Sequence, residues 1–218
     1  MKTNFHSRHC HAWTKTEVLI VVVTIVLLTG VFLPRFLGPN RTTARRIDCA
    51  SKLRAFGVGF RIWSNDNDDR FPWEVSTNKG GTLEFANSSN VFLHFLPCSV
   101  EVSTPKILIC QSDRSKVAVS DFSKFDNRNL SYFIGLTADM SDPQSILFGD
   151  RNVTTNGVAV GNGVFQIATN GLVGWTTAMH KKAGNILLGD GSVSQTSVSG
   201  LQTQWQASTN PARRLAVP

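Results

Sequence analysis

The sequence predicts an α+β fold, a long N-terminal helix followed by an antiparallel β-rich domain, on three observations. An apolar run opens the chain, a helical stripe of large apolar residues follows it, and beyond Ser64 short apolar stretches alternate with Gly, Asn, Ser and Asp. With 218 residues, 41% hydrophobic and 17% charged, the chain is sized for one domain and an appendage. Its 14 Phe and 5 Trp supply a core, and the low charge argues against disorder. The net charge of +7 is dispersed along the chain without the basic runs of a nucleic-acid tail, so no nucleic-acid partner is expected.

The first element is the run from Val18 to Leu33, free of charge, with Thr24 and Thr29 its only polar side chains. Glu17 precedes it and Pro34-Arg35 follow. As a helix it covers about 24 Å against a hydrocarbon core of about 30 Å, so flanking residues must help it span. The expectation is a transmembrane helix over about residues 18–34; a buried core helix and a cleavable secretory signal are the alternatives. Bulky residues and Arg35 in Val31-Phe-Leu-Pro-Arg-Phe-Leu-Gly38 offer no small-residue signal-peptidase site.

The front of the run reads Ala12-Trp13-Thr14-Lys15-Thr16-Glu17. A small residue, an aromatic, and a glutamate opening an apolar helix resemble the leader of type IV prepilins and pseudopilins. That resemblance implies a leader over residues 1–12, a cut by the prepilin peptidase between Ala12 and Trp13, and methylation of the new amine. It also implies that Glu17 pairs with the Trp13 amine of a neighbouring subunit during assembly. Ala12 stands where that family has glycine, and Lys15 and Thr16 stand where it has apolar residues.

Between Arg41 and Ser64, Cys49, Leu53, Phe56, Phe60 and Trp63 recur at helical spacing and form the packing face of an amphipathic helix. The two halves together predict one long helix over residues 13–64, loosened at Pro34, Gly38 and Pro39, in the manner of a pilin. Arg35, Arg41, Arg45 and Arg46 beyond the run oppose the positive-inside rule. A single pass through the bacterial inner membrane, with a periplasmic head over 65–218, therefore rests on the resemblance.

Asn65-Asp66-Asn67-Asp68-Asp69 reads as a solvated turn. A calcium site is the alternative, but the glycine and distal glutamate of an EF-hand loop are missing, so no metal is assigned and no cofactor is expected. Strands are expected at Phe92–Leu96, Ile107–Cys110, Tyr132–Leu136, Ser145–Phe148, Asn185–Leu188 and Ser192–Thr196, with Ser89–Leu96 helical as a second reading. Asn185 to Gln195 is the strongest hairpin signal, with Asp190-Gly191 supplying the positive-φ residues of a tight turn.

His180, nine residues and Asp190-Gly191 resemble the tail of the prepilin-type processing-associated proteins, as do the segments around Cys49, Cys110 and Asp150. The resemblance names a family and supplies no activity. His180 reads as structural; Asp150 and Asp190 are the carboxylates that could join it around a cation. No nucleophile with a base and an orienting group is evident, so an enzyme is not expected.

The processing that the resemblance implies would remove Cys10 with the leader, and no C-x-x-C spacing supports zinc. A periplasmic head permits one disulfide. Cys49 with Cys110 is favoured, since the segment ending at Cys110 could lie over the helix face bearing Cys49. Cys98 with Cys110, or three buried thiols, are the alternatives.

Three functions remain open. The favoured one is a pilin-like structural subunit of a type II secretion or type IV filament system, with the membrane, the prepilin peptidase and other pilin or pseudopilin subunits as partners. The second is a membrane-anchored periplasmic binding module for glycan, nucleic acid or cation, using exposed Trp73, Trp175 or Trp205. The third is an enzyme built on His180.

Overall fold

The computed structural model describes residues 14–37, 41–168, 170–207 and 212–218. The chain forms two units, Met1–Asn40 and Arg41–Pro218. Ala12 and Trp13, the expected processing site, and the leader lie outside the described residues.

In the first unit, helix α1 (Lys15–Leu37) begins on a reciprocal cap. The Thr14 amide and hydroxyl donate to Glu17 Oε2 at 2.8 and 2.9 Å, and the Glu17 amide donates back to Thr14 Oγ1 at 3.3 Å. Thr-x-x-Glu is thus a capping box, a helix-start signal that a reading of Glu17 as an assembly residue passes over. The side chains that follow are exposed on every side, among them Leu19 at 65%, Val26 at 62% and Val31 at 70%.

Two expectations are corrected here. The single helix over 13–64 is instead two helices, α1 and α2 (Arg41–Asn65), in separate units. Among the described residues no helix is long and apolar enough to cross a membrane, which overturns the transmembrane half and the inner-membrane location built on it. The physical reason is length: Lys15, Thr16 and Glu17 at one end and Pro34-Arg35 at the other leave an apolar stretch of about 24 Å for a core of about 30 Å.

The second unit is built around α2. Cys49, Leu53, Phe56, Phe60 and Trp63 lie along its buried face. Phe56 and Phe60 meet Phe148 with ring centroids 5.1 and 4.7 Å apart, and Phe60 meets Phe95 at 5.2 Å, mostly edge to face as ring quadrupoles favour.

After α2 the chain turns through Asn65–Asp69. Asp66, Asp68 and Asp69 are exposed, and Asp68 pairs with Arg70 at 2.8 Å. It then runs in short 3-10 turns to Asn129, broken by the one-turn helix α3 (Ser99–Val102). Two expected strands fall in this region and are corrected: Val91–Phe95 and Pro105–Leu108 are 3-10 turns. Pro105 at the start of the second forbids a ladder N–H and favours a helical first turn.

The strands follow in order: β1 (Tyr132–Gly135), β2 (Ile146–Asp150), β3 (Val153–Thr155), β4 (Val158–Ala159), β5 (Gly163–Ala168), β6 (Val173–Trp175), β7 (Ala183–Leu188), β8 (Val193–Ser197) and, after helix α4 (Val198–Ala207), β9 (Ala212–Val217). Six make an antiparallel sheet in the order β5-β9-β1-β2-β7-β8, and β4-β3-β6 make a smaller one. Alternate residues of the large sheet enter two cores. Ile134, Phe148 and Leu187 face the α2 side, while Phe133, Ile186 and Leu188 join Trp175, Leu201 and Trp205 on the other. Burial on both faces is why Ile186-Leu187-Leu188 is continuously apolar rather than alternating.

Trp73, Trp175 and Trp205 are 2%, 3% and 1% exposed. The expectation that they offer a ligand-stacking surface is therefore corrected: all three are core residues.

Candidate functional site

Helix α2 lies along the β7–β8 hairpin, and two arginines fasten it. Near its start, Arg46 donates from Nη2 to the carbonyls of Gly184 at 3.3 Å and Thr196 at 3.1 Å. Near its end, Arg61 donates to the carbonyls of Gly189 at 2.7 Å and Asp190 at 3.3 Å. Between them Gly57 lets Leu187 approach so closely that a Cβ there would stand 2.5 Å from its Cδ2.

Cys49 of α2 is joined to Cys110 by a disulfide, with Cα atoms 5.1 Å apart. Cys98 is a buried free thiol, held protonated by burial. His180 closes over the disulfide, its Nε2 3.3 Å from Cys110 Sγ and 3.4 Å from Asp150 Oδ2. Asp150 is wholly buried at the end of β2, and its Oδ2 accepts from the backbone and side-chain amides of Asn185 at 2.7 and 2.9 Å.

Burial raises the Asp150 carboxyl to about 7, against the lowering effect of the Asn185 hydrogen bonds. Burial, with a smaller push from Arg46, lowers His180 to about 4. Between those values both groups are neutral, so their contact is a carboxylic acid beside an imidazole rather than an ion pair.

This arrangement differs from a nucleophilic triad in two ways. Both contacts fall on Nε2, whereas a relay needs one ring nitrogen for the nucleophile and the other for the orienting carboxylate. The sulfur is also already bonded to Cys49. The same bond decides the metal question for this cluster. Ligand atoms of Cys49, Cys110 and His180 lie within 4.8 Å of one another, but with both sulfurs in the disulfide only the imidazole is left to ligate.

The two ends of the His180 and Asp190-Gly191 motif are held apart by β7. Asp190 occupies the hairpin turn, where its Oδ1 accepts the Ser192 amide at 2.8 Å. The Gly191 amide donates to Leu188 O at 2.9 Å, and Gly191 takes φ +84°. Asp190 itself does not have positive φ, so the turn is the three-residue kind that ends on a left-handed glycine, and the expectation of positive φ at both Asp190 and Gly191 is corrected. His180 thus packs on the disulfide at one end of β7 while Gly189-Asp190 docks on Arg61 at the other. Of the two carboxylates considered for His180, Asp150 is the one beside it.

In front of His180 opens a cleft of about 440 Å³. The first turns of α2 bring Thr42, Thr43, Arg45 and Arg46 to it, the loop after Cys110 brings Arg114, and the loop before β7 brings Lys181. Sequence reading missed Arg46, Arg61, Arg114 and Asn185. For Arg46 a signal was available, since it stands one helical turn before Cys49 and extends the buried stripe. For Arg114 and Asn185 none was, because their partners are remote in sequence. Searches against family models, curated proteins and solved structures found no match to the chain.

Proposed function

We propose that this chain is a structural subunit of the pilin or pseudopilin kind, which polymerises by packing α1 against α1 of other copies. The observation that supports it is α1 itself: a helix apolar around its whole circumference whose side chains from Val18 to Val31 are all exposed. A soluble surface helix normally keeps a polar face, and an apolar patch of this extent marks an interaction surface. Glu17 is held below the usual carboxylate range by the Thr14 backbone and side-chain hydrogen bonds, so it enters the assembly as an anion able to meet a cationic N-terminus. The resemblance of Ala12-Trp13 and Glu17 to a prepilin leader supports the same reading.

The test is to recover the chain from its native host, sequence its N-terminus and measure sedimentation. The reading expects a chain starting at Trp13 that sediments as a polymer, and a Val22→Asp/Val26→Asp variant that stays monomeric with the head's melting temperature unchanged. A wild-type chain that keeps Met1 and remains monomeric overturns it.

A further inference from the structure

Arg45, Arg46, Arg114 and Lys181 come from three separate segments to line the cleft in front of His180, and no carboxylate lines it with them. The acids closest in sequence are engaged elsewhere. Asp48 pairs with Lys52 at 2.9 Å, and Asp113 is gripped by Arg151 at 2.6 Å. Asp150 lies wholly buried, in contact with His180. Among the described residues Arg45, Arg114 and Lys181 form no salt bridge, so the cleft gathers three unpaired cations beside Arg46, whose charge is felt by the buried Asp150.

Two further features mark the basic residues of the cleft. The Nε of Arg46 is buried and has no hydrogen-bond partner among the described residues, although Nη2 is anchored on two carbonyls. A donor fixed in that state costs stability unless something accepts from it. Lys181 and Lys182 both adopt left-handed backbone, φ +55° and +61°, which costs a non-glycine residue about 1 kcal/mol or more each. The strained loop is closed by the Lys182 amide donating to Thr176 O at 3.2 Å, and it puts Lys181 on the cleft. The first turn of α2 carries no acid, so its dipole adds to the same field.

We propose that this cleft is a binding site for a small ligand bearing a tetrahedral oxyanion, a phosphate or sulfate ester. Guanidinium groups match the geometry of such oxyanions, and a cleft of this volume has room for a ligand of monosaccharide size. The site lies wholly within the second unit and is independent of assembly through α1.

Calorimetric titration of the full chain with inorganic pyrophosphate, glucose 6-phosphate and glucose 6-sulfate tests it, with methyl glucoside as the uncharged control. Saturable binding of the charged probes, weakened by added salt and absent for methyl glucoside, is expected. A preference for glucose 6-phosphate or for glucose 6-sulfate identifies which ester the cleft takes. The Arg114→Gln/Lys181→Gln variant removes two exposed side chains without touching the Arg46 anchor, and it should bind at least about 10-fold more weakly at an unchanged melting temperature. No saturable binding of any charged probe up to about 5 mM, or equal binding by wild type and the variant, overturns the proposal.

Discussion

His180 turns one ring nitrogen, Nε2, toward both the sulfur of Cys110 at 3.3 Å and Oδ2 of Asp150 at 3.4 Å. The imidazole therefore closes over a disulfide and a buried acid at once, and the three groups are linked in what they contribute to stability.

The Asp150 and His180 contributions to pH dependence oppose each other. Between its ordinary value near 3.8 and its folded value of about 7, Asp150 keeps a proton that the unfolded chain has released, so its share of stability falls as pH rises through that window. Between about 4 and its ordinary 6.5, His180 lacks a proton that the unfolded chain has bound, so its share rises with pH. In wild type the two slopes cancel from about 4 to 6.5. Asp150→Asn should leave the His180 term exposed, and stability relative to wild type should climb with pH by about 1 kcal/mol per pH unit. His180→Gln should tilt it the other way, downward from about pH 4 to 6.5. Urea midpoints at a series of pH values decide; two variants with the same sign of slope would contradict the neutral pair.

Breaking the disulfide should be costly because it closes a long loop. Cys49 and Cys110 are 61 residues apart, and in the chain-entropy account a loop of that length contributes about 4 kcal/mol. Cys110→Ser should lose about that much in urea unfolding, and wild type in reductant should fall to the same midpoint.

Gly184→Ala should destabilise although it adds a single methyl group. A Cβ at Gly184 would stand 2.7 Å from three atoms of the Trp175 indole, which is buried and tethered through Nε1 to Thr196 Oγ1 at 3.2 Å. The ring has nowhere to retreat, and overpacking of this kind costs about 2 kcal/mol. The loss should show as a lower urea midpoint, with a changed near-ultraviolet circular dichroism from the displaced indole.

What could be read in the sequence was local. The stripe from Cys49 to Trp63 repeats with the helix period, and Tyr132–Leu136 and Asn185–Leu188 are apolar runs bounded by turn residues, so α2, β1 and β7 announce themselves. Strands β5 and β9 do not. Gln166 and Arg213-Arg214 break their apolar pattern; β5 is held at the sheet edge by β9, and β9 is held between β5 and β1. Such strands are specified by tertiary pairing rather than by their own residues. The candidate site was half legible for a related reason. His180, Asp150 and both cysteines stand out as residue types, but what brings them together is the register of β2 on β7 and the lie of α2 across them. The apolar run misled in the opposite direction, since its composition suggests a membrane while its length falls short of one.

The last prediction separates the two roles available to Glu17. As the third residue of a capping box it is replaceable by any residue that returns a hydrogen bond to the Thr14 amide, so Glu17→Gln should preserve the helicity of α1 in circular dichroism. Thr14→Ala removes the other half of the box, the hydroxyl that both donates to Glu17 and accepts its amide, and should lower that helicity. The proposed assembly makes a different demand, because a neighbouring ammonium would be attracted to the charge of Glu17 and would gain little from an amide. Glu17→Gln should therefore keep its helix and lose its polymers, while Thr14→Ala should lose helix and retain polymers at higher protein concentration. Sedimentation and circular dichroism on the same samples read both. A Glu17→Gln chain that polymerises as well as wild type would reduce Glu17 to a cap and remove it from the assembly contact.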